Sequence, residues 1–343
     1  MKFLFRADAS SQIGSGHVMR CLALAVAVRP LADDIHFVCC DLQGELRGLI
    51  EDSGYRCTLL PVDNPAFDQV SDAQQTAELA DAVDWLIVDH YGIDHHWQRE
   101  MRSACNRIMV IDDLADRIHD CDILLDQTFG RHADEYRSLT PVACKVLTGT
   151  DYALLRPEFA ASRPAALERR KASEGVHHVL VSIGGFDPEN VTLDVLEVLA
   201  HADYSERLTV TAVCPAQPPA DDASLNTLAG SFEKLEIRQY VSNMAELMAA
   251  SDLAVGAGGT TSWERCCLGL PALIRIMADN QREVARRLEA AGAIRVWQSR
   301  TELRECLDEY VGDPSLLQSA SGAASRVCDG QGLERVIAVM QSC

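Results

Sequence analysis

The sequence predicts an α/β protein built from two doubly wound, Rossmann-like domains facing a cleft, and three observations carry that prediction. Short apolar runs of strand length alternate with segments of helical periodicity along most of the chain. A strand, a glycine-bearing turn and a helix open the first half at 2–29, and the pattern restarts at 178. Between the halves, near 156–175, the composition shifts to Arg, Ala, Pro, Ser and Glu, with Pro157, Pro164 and the charged run Glu168-Arg169-Arg170-Lys171. These features set expected boundaries at 1–160 for an N-terminal domain, 161–174 for a linker and 175–343 for a C-terminal domain.

Residues 2–7 read as a buried strand, 8–16 as a polar turn and 17–29 as a helix with apolar residues at helical spacing. Strand-like runs follow at 35–39, 56–60, 85–88, 108–111 and 123–125, with helical segments at 73–82 and 95–104. In the second half, strands are expected at 178–183, 208–213, 253–255 and 272–276. Helices are expected at 191–201, 244–250, 261–268 and 282–291, the last closed by Gly292. Strands that alternate with helices imply parallel sheets covered on both faces. Segment 333–340 has a helical pattern and is expected to pack across the domain boundary.

The 343 residues suit two domains, and 31 basic against 51 acidic residues give a formal charge of −20. Such a surface repels phosphate backbones and anionic bilayers, which argues against nucleic acid and membrane partners and leaves a small molecule. The apolar run at 21–28 lies between Arg20 and Arg29 and falls far short of the ~20 residues that span a bilayer. Arg6 and Asp8 interrupt the opening residues before a signal-peptide core can form, so a cytoplasmic protein is expected. Thirteen cysteines without a CxxC pair read as small buried side chains, and no disulfide framework or metal is expected. No repeat or coiled coil stands out, so a monomer is expected.

Gly14-Ser15-Gly16-His17 lies between the first strand and the first helix, where glycines allow close backbone approach and free amides attract an anion. The dinucleotide fingerprint needs a third glycine at position 19, which is Met19, so no nicotinamide cofactor is expected. His17 stands at the positive end of a helix, which favours the neutral imidazole that a general base requires. Asp8, Asp89 and Asp112 or Asp113 follow strand ends that converge on one rim of a parallel sheet. The run Asp89-His90-Tyr91-Gly92-Ile93-Asp94-His95-His96 concentrates metal-ligand types. Adjacent His95 and His96 are expected on different faces of a helix, so Asp89, His90 and Tyr91 are read as substrate-facing loop residues instead.

In the second half, Gly184-Gly185 followed by Asp187-Pro188 reads as an anion-ready helix start. Gly256-Ala257-Gly258-Gly259-Thr260-Thr261-Ser262-Trp263-Glu264 offers glycine amides and hydroxyls to phosphate, with Glu264 placed to accept both hydroxyls of a ribose. Asn280-Gln281 extends that set, and the turn containing Tyr240 and Val241 presents backbone groups to a uracil.

The second-half motif is similar to the donor site of B-type two-domain UDP-sugar glycosyltransferases, among them the enzyme that forms the lipid-linked disaccharide of peptidoglycan. A wider resemblance runs through Arg6-Ala7-Asp8, Gly14-Ser15-Gly16-His17-Val18-Met19-Arg20, Val88-Asp89-His90-Tyr91-Gly92 and Ile111-Asp112-Asp113-Leu114-Ala115. It continues through Leu154-Leu155-Arg156-Pro157-Glu158-Phe159 and Ser182-Ile183-Gly184-Gly185-Phe186-Asp187. Together these motifs resemble the UDP-2,4-diacetamido-2,4,6-trideoxy-β-L-altropyranose hydrolases of pseudaminic acid biosynthesis. The resemblance implies a glycosyltransferase B-type fold that releases UDP and the free sugar, water replacing the acceptor. It implies attack at the anomeric carbon with inversion and His17 as base. Beside that base, Asp8, Tyr91 or Asp89 is the candidate to orient water or sugar, and because UDP is a good leaving group, helix N-termini and backbone donors serve it without an obligatory metal. Two other readings stand beside it: a UDP-sugar glycosyltransferase of the same fold, and a non-catalytic nucleotide-sugar-binding module.

Overall fold

The computed structural model describes residues 1–10, 13–62, 67–185, 187, 189–214, 222–239, 241–279 and 281–343. The chain forms two compact units, Met1–Leu155 with Gln331–Cys343, and Arg156–Gly330.

In the first unit, the elements run β1 (Lys2–Ala7), α1 (Gly16–Val28), β2 (Asp34–Cys40), α2 (Arg47–Asp52), β3 (Arg56–Leu60), α3 (Gln69–Leu79), β4 (Val83–Asp89), α4 (His95–Met101), β5 (Cys105–Ile111), β6 (Ile123–Asp126) and β7 (Lys145–Thr148). The sheet is parallel with order β3-β2-β1-β4-β5-β6-β7. Because side chains alternate across a strand, β1 feeds two cores. Phe3, Phe5 and Ala7 pack with Cys21, Leu24 and Val28 of α1, while Leu4 joins Val38, Leu86, Val88 and Trp97 on the opposite face. The helix expected at 73–82 starts earlier, because the Asp68 carboxylate accepts from Val70 N and Ser71 N and caps α3 ahead of its buried residues Asp72, Ala73 and Thr76.

The second unit runs α5 (Pro157–Lys171), β8 (His178–Ser182), α6 (Val191–Ala200), β9 (Thr209–Cys214), α7 (Asp222–Ala229), β10 (Lys234–Gln239), α8 (Met244–Ala250), β11 (Leu253–Ala257), α9 (Thr261–Cys267), β12 (Ala272–Arg275), α10 (Gln281–Ala290), β13 (Ile294–Val296), α11 (Arg300–Gly312) and α12 (Pro314–Val327). Its sheet is also parallel, in the order β10-β9-β8-β11-β12-β13. In each sheet the strand order reverses beside the first strand, at β1/β4 and at β8/β11. Such reversals open a crevice at the carboxyl ends of the strands.

Two boundaries differ from the sequence reading. Residues 161–174, expected as a linker, fall mostly within α5. Pro157 sits in the first turn, where its missing N–H costs nothing, and Arg169, Arg170 and Lys171 form a basic last turn that suits the helix dipole. The helix α13 (Gly332–Gln341), expected within the C-terminal domain, belongs to the first unit. Its Leu333, Val336 and Met340 complete the core that α1 begins.

Candidate functional site

At the ends of β1 and β4, buried charges are paired in two sets. Asp8 follows β1 and is 1% exposed. Its Oδ1 accepts from Arg6 Nη1 at 2.6 Å and Cys40 N at 2.7 Å, and its Oδ2 from Arg6 Nη2 at 3.1 Å, with His90 Nε2 at 3.2 Å. Burial alone would raise this carboxyl, but Arg6 and His90 outweigh it and hold it well below the usual carboxylate range. Arg6 also grips Asp72 of α3, which accepts from Trp97 Nε1 at 2.8 Å. His90 accepts Gly92 N on Nδ1 at 3.0 Å, so its Nε2 carries the hydrogen that faces Asp8.

The second set centres on Asp89, the last residue of β4, which is fully buried. Arg20 of α1 donates Nε to Asp89 Oδ2 at 2.5 Å and Nη2 to Oδ1 at 2.6 Å, and its Nη1 reaches Asp113 at 3.1 Å. His17 lies one helical turn before Arg20, so both side chains share a face of α1. Its Nε2 is 4.0 Å from Asp89 Oδ1, and the Tyr91 ring meets the imidazole edge-on at 4.6 Å. His17 Nδ1 is buried and has no hydrogen-bond partner among the described residues. Burial is the main influence on this imidazole and lowers its pKa below the ordinary 6.5 against the opposing pull of Asp89. The ring is therefore neutral at neutral pH. In the preceding turn, Ser10 O accepts Gly14 N at 2.8 Å, and no side chain caps α1 at Ser15 among the described residues.

Of the two aspartates expected on the rim after β5, Asp113 joins Arg20, while Asp112 turns away. Asp112 accepts from Tyr136 Oη at 2.7 Å and Ala115 N at 2.9 Å and pairs with Arg117. His95 and His96, expected on different faces of α4, are the first two residues of that helix, and their rings lie against each other with centroids 3.9 Å apart and planes tilted by 41°. Asp94 beside them is engaged as the helix cap, accepting from His96 N at 2.8 Å.

In the second unit, Gly258, Gly259 and Thr260 link β11 to α9, which begins at Thr261. Gly259 has φ +135°, a conformation that L side chains rarely adopt. Gln281 packs on Gly258 closely enough that a Cβ there would lie 3.2 Å from its own Cβ, and its Oε1 accepts Met277 N at 2.9 Å. Glu264 stands one turn into α9 and is 19% exposed. Burial pushes its carboxyl up to about 7, opposed by Arg156, whose Nη2 lies 3.8 Å away. Val241 lies in the turn between β10 and α8; Tyr240 and Asn280 fall outside the described residues.

Gly184 and Gly185 follow β8 as expected, but the helix start beyond them is already filled. The Asp187 carboxylate accepts from Val191 N at 2.8 Å and Thr192 N at 2.8 Å, neutralising the end of α6 that was read as open to an anion. Sequence reasoning also missed Arg6, Arg20, Asp72 and Arg265. Only Arg6 and Arg20 fell inside a quoted motif, and nothing in the spacing announces partners more than 60 residues away.

Residues 179–325 match the family model of the glycosyltransferase family 28 C-terminal domain. The chain is 30% identical over 262 residues to the UDP-2,4-diacetamido-2,4,6-trideoxy-beta-L-altropyranose hydrolase of Campylobacter jejuni, a match covering 74% of this chain and 83% of that protein. The chain belongs to that hydrolase's family. This family of UDP-sugar enzymes also frames its likeness to an uncharacterized protein of Methanocaldococcus jannaschii, 27% identical over 287 residues and 82% of this chain. The match spans 57% of that relative's length. The family member's fold is the glycosyltransferase B-type fold: Acinetobacter baumannii MurG superposes with a TM-score of 0.69 over 100% of both chains at 13% identity. Among the described residues, no helix is long and apolar enough to cross a membrane.

Proposed function

We propose that this protein hydrolyses UDP-2,4-diacetamido-2,4,6-trideoxy-β-L-altropyranose to UDP and the free diacetamido sugar. The observation that carries the reading is His17, a neutral imidazole in the first turn of α1 with a buried carboxylate beside it. Nδ1 is shut away from solvent, so Nε2 is the nitrogen that takes a proton. Water gives that proton to Nε2 as its oxygen bonds to the anomeric carbon, and the C–O bond to the β-phosphate breaks with its electron pair on UDP. The imidazolium that forms faces Asp89, and Arg20 holds that carboxylate in place. Tyr91 packs on His17 and fixes its ring. Asp8, held by Arg6, supports His90 rather than presenting an open carboxylate to water.

The second unit holds UDP in this reading. Gly258, Gly259, Thr260 and Thr261 take the phosphates, and Glu264 accepts the ribose hydroxyls. Gly184, Gly185, Tyr240, Val241, Asn280 and Gln281 complete the nucleotide contacts of that unit, and Gly14, Ser15 and Gly16 are the substrate-binding amides of the first unit. Backbone donors stabilise charge that develops on the leaving diphosphate. The family 28 match favours a second reading, a UDP-sugar glycosyltransferase in which His17 takes its proton from an acceptor hydroxyl.

Phosphorus NMR in oxygen-18 water, with UDP-N-acetylglucosamine as control substrate, separates these outcomes. Hydrolysis at carbon yields unlabelled UDP and labelled sugar from the altropyranose substrate alone. Label in UDP or UMP means attack at phosphorus, and no turnover without an added acceptor selects the glycosyltransferase.

A further inference from the structure

Four guanidinium groups are almost fully buried among the described residues: Arg6, Arg20, Arg170 and Arg265. Three are neutralised where they lie. Arg6 and Arg20 face carboxylates. Arg170 donates to Met248 O, Ser251 O and Leu268 O, at the carbonyl ends of α8 and α9, where the helix dipoles supply negative charge.

Arg265 is 2% exposed and has no such compensation. Its Nη2 donates to Ala257 O at 2.7 Å and reaches Ser262 Oγ at 3.4 Å, both neutral acceptors. Its Nε is buried without a hydrogen-bond partner, and no carboxylate lies within ion-pair distance among the described residues. The neighbouring Glu264 is a weak countercharge, since its carboxyl titrates near 7. Burial draws this guanidinium down to about 10, as it does Arg170, so what sets Arg265 apart is its acceptors: one carbonyl and one hydroxyl against the three helix-end carbonyls that hold Arg170.

The position of this charge is informative. A Cβ on Gly256 would lie 2.7 Å from Arg265 Nη1 and 2.4 Å from Ser182 O. The guanidinium is therefore wedged at the carboxyl ends of β8 and β11, where the strand order reverses and a ligand crevice is expected. Its acceptor, Ala257, immediately precedes Gly258-Gly259. A buried cation that lacks a partner is costly, and an anion bound over that loop would supply the missing charge.

We propose that Arg265 is the fixed countercharge for the diphosphate, a positioning residue that acts through the Ala257–Gly259 backbone without touching the ligand. It makes the second unit select a nucleoside diphosphate over the uncharged nucleoside. The inference rests on the reading that this unit binds UDP.

The test is calorimetric binding of UDP and uridine to the full chain and to Arg265→Met and Arg265→Lys, with melting temperatures taken without ligand. Arg265→Met should lose about tenfold or more in UDP affinity, keep uridine within about twofold, and melt no lower than wild type. A parallel loss of both ligands, or undiminished UDP binding, overturns the proposal. In Arg265→Lys, a buried ammonium releases its proton more readily than the guanidinium. Its UDP affinity relative to wild type should therefore fall between pH 7 and 9 while uridine's does not, and a flat ratio overturns the proposal even if the methionine variant fails to fold. Failure of both variants to fold assigns Arg265 to the scaffold alone and also overturns it. Wild-type protein that binds uridine and UDP equally well sinks this inference only; wild-type protein that binds neither sinks the UDP reading itself.

Discussion

At the ends of β1 and β4, two buried guanidinium groups face Asp8, Asp72, Asp89 and Asp113, whereas at the ends of β8 and β11 a buried guanidinium faces no carboxylate among the described residues. The two sheets share a topology, yet their switch points carry opposite fields. The first has an excess of negative charge beside a neutral histidine. That field suits a proton acceptor that must become a cation, and a sugar carbon that gains positive character as its leaving group departs. The second suits an anion. A common topology thus carries opposite signs of buried charge at the two switch points.

The sharpest way to break this contrast is His17→Asn. Turnover should fall by ~100-fold or more with UDP affinity nearly unchanged, and retained turnover would remove His17 as base. Asp89→Asn should lower turnover by about tenfold. Asp89 raises the His17 pKa, so its loss moves the acid limb of the rate profile to lower pH; an unmoved limb would show that Asp89 does not act through His17. The same variant leaves Arg20 with half its pairing and should cost about 3 kcal/mol of stability in denaturant titration.

Glu264→Gln tests the opposite unit. Uridine affinity in wild type should rise as pH increases through about 7, because ribose hydroxyls donate to the ionised carboxylate, and the variant should bind several-fold more weakly with a flat profile. Stability should move the other way. The folded carboxyl is raised from 4.5 to about 7, so its contribution is complete below the lower value and lost as pH rises through the upper one. The variant should therefore gain about 2–3 kcal/mol on wild type between pH 5 and 8. Smallest in effect on chemistry, Gly256→Ala should leave the first unit untouched and lower the melting temperature through its clash with Ser182 O and Arg265, a loss of about 1–3 kcal/mol. A variant as stable as wild type would show that Arg265 is not wedged there.

Much of this was legible in sequence because it is local. His17 follows a strand and opens a helix, and Asp8 and Asp89 sit at strand ends, so topology alone brings them to one rim. Which rim carboxylate would matter was not legible, since Asp112 and Asp113 are neighbours and only the distant partners Tyr136 and Arg20 separate them. Strand β10 was missed because in Lys-Leu-Glu-Ile-Arg-Gln, an edge strand, every second residue is charged and only Leu235 and Ile237 are apolar. Arg265 was hidden for the same reason in reverse: a charged residue in an amphipathic helix reads as surface, and only packing shows it to be inside.

The return of α13 to the first unit gives the chain an order of assembly. The 175 residues of Arg156–Gly330 lie between that unit's strands and the helix that completes its core. At a synthesis rate of roughly 5–20 residues per second, they take about 10–35 s to emerge. Throughout that interval Phe5, Leu24 and Val28 lack the cover that Leu333, Val336 and Met340 later provide, while the second unit already has everything its core needs. The half that is made first is thus finished last.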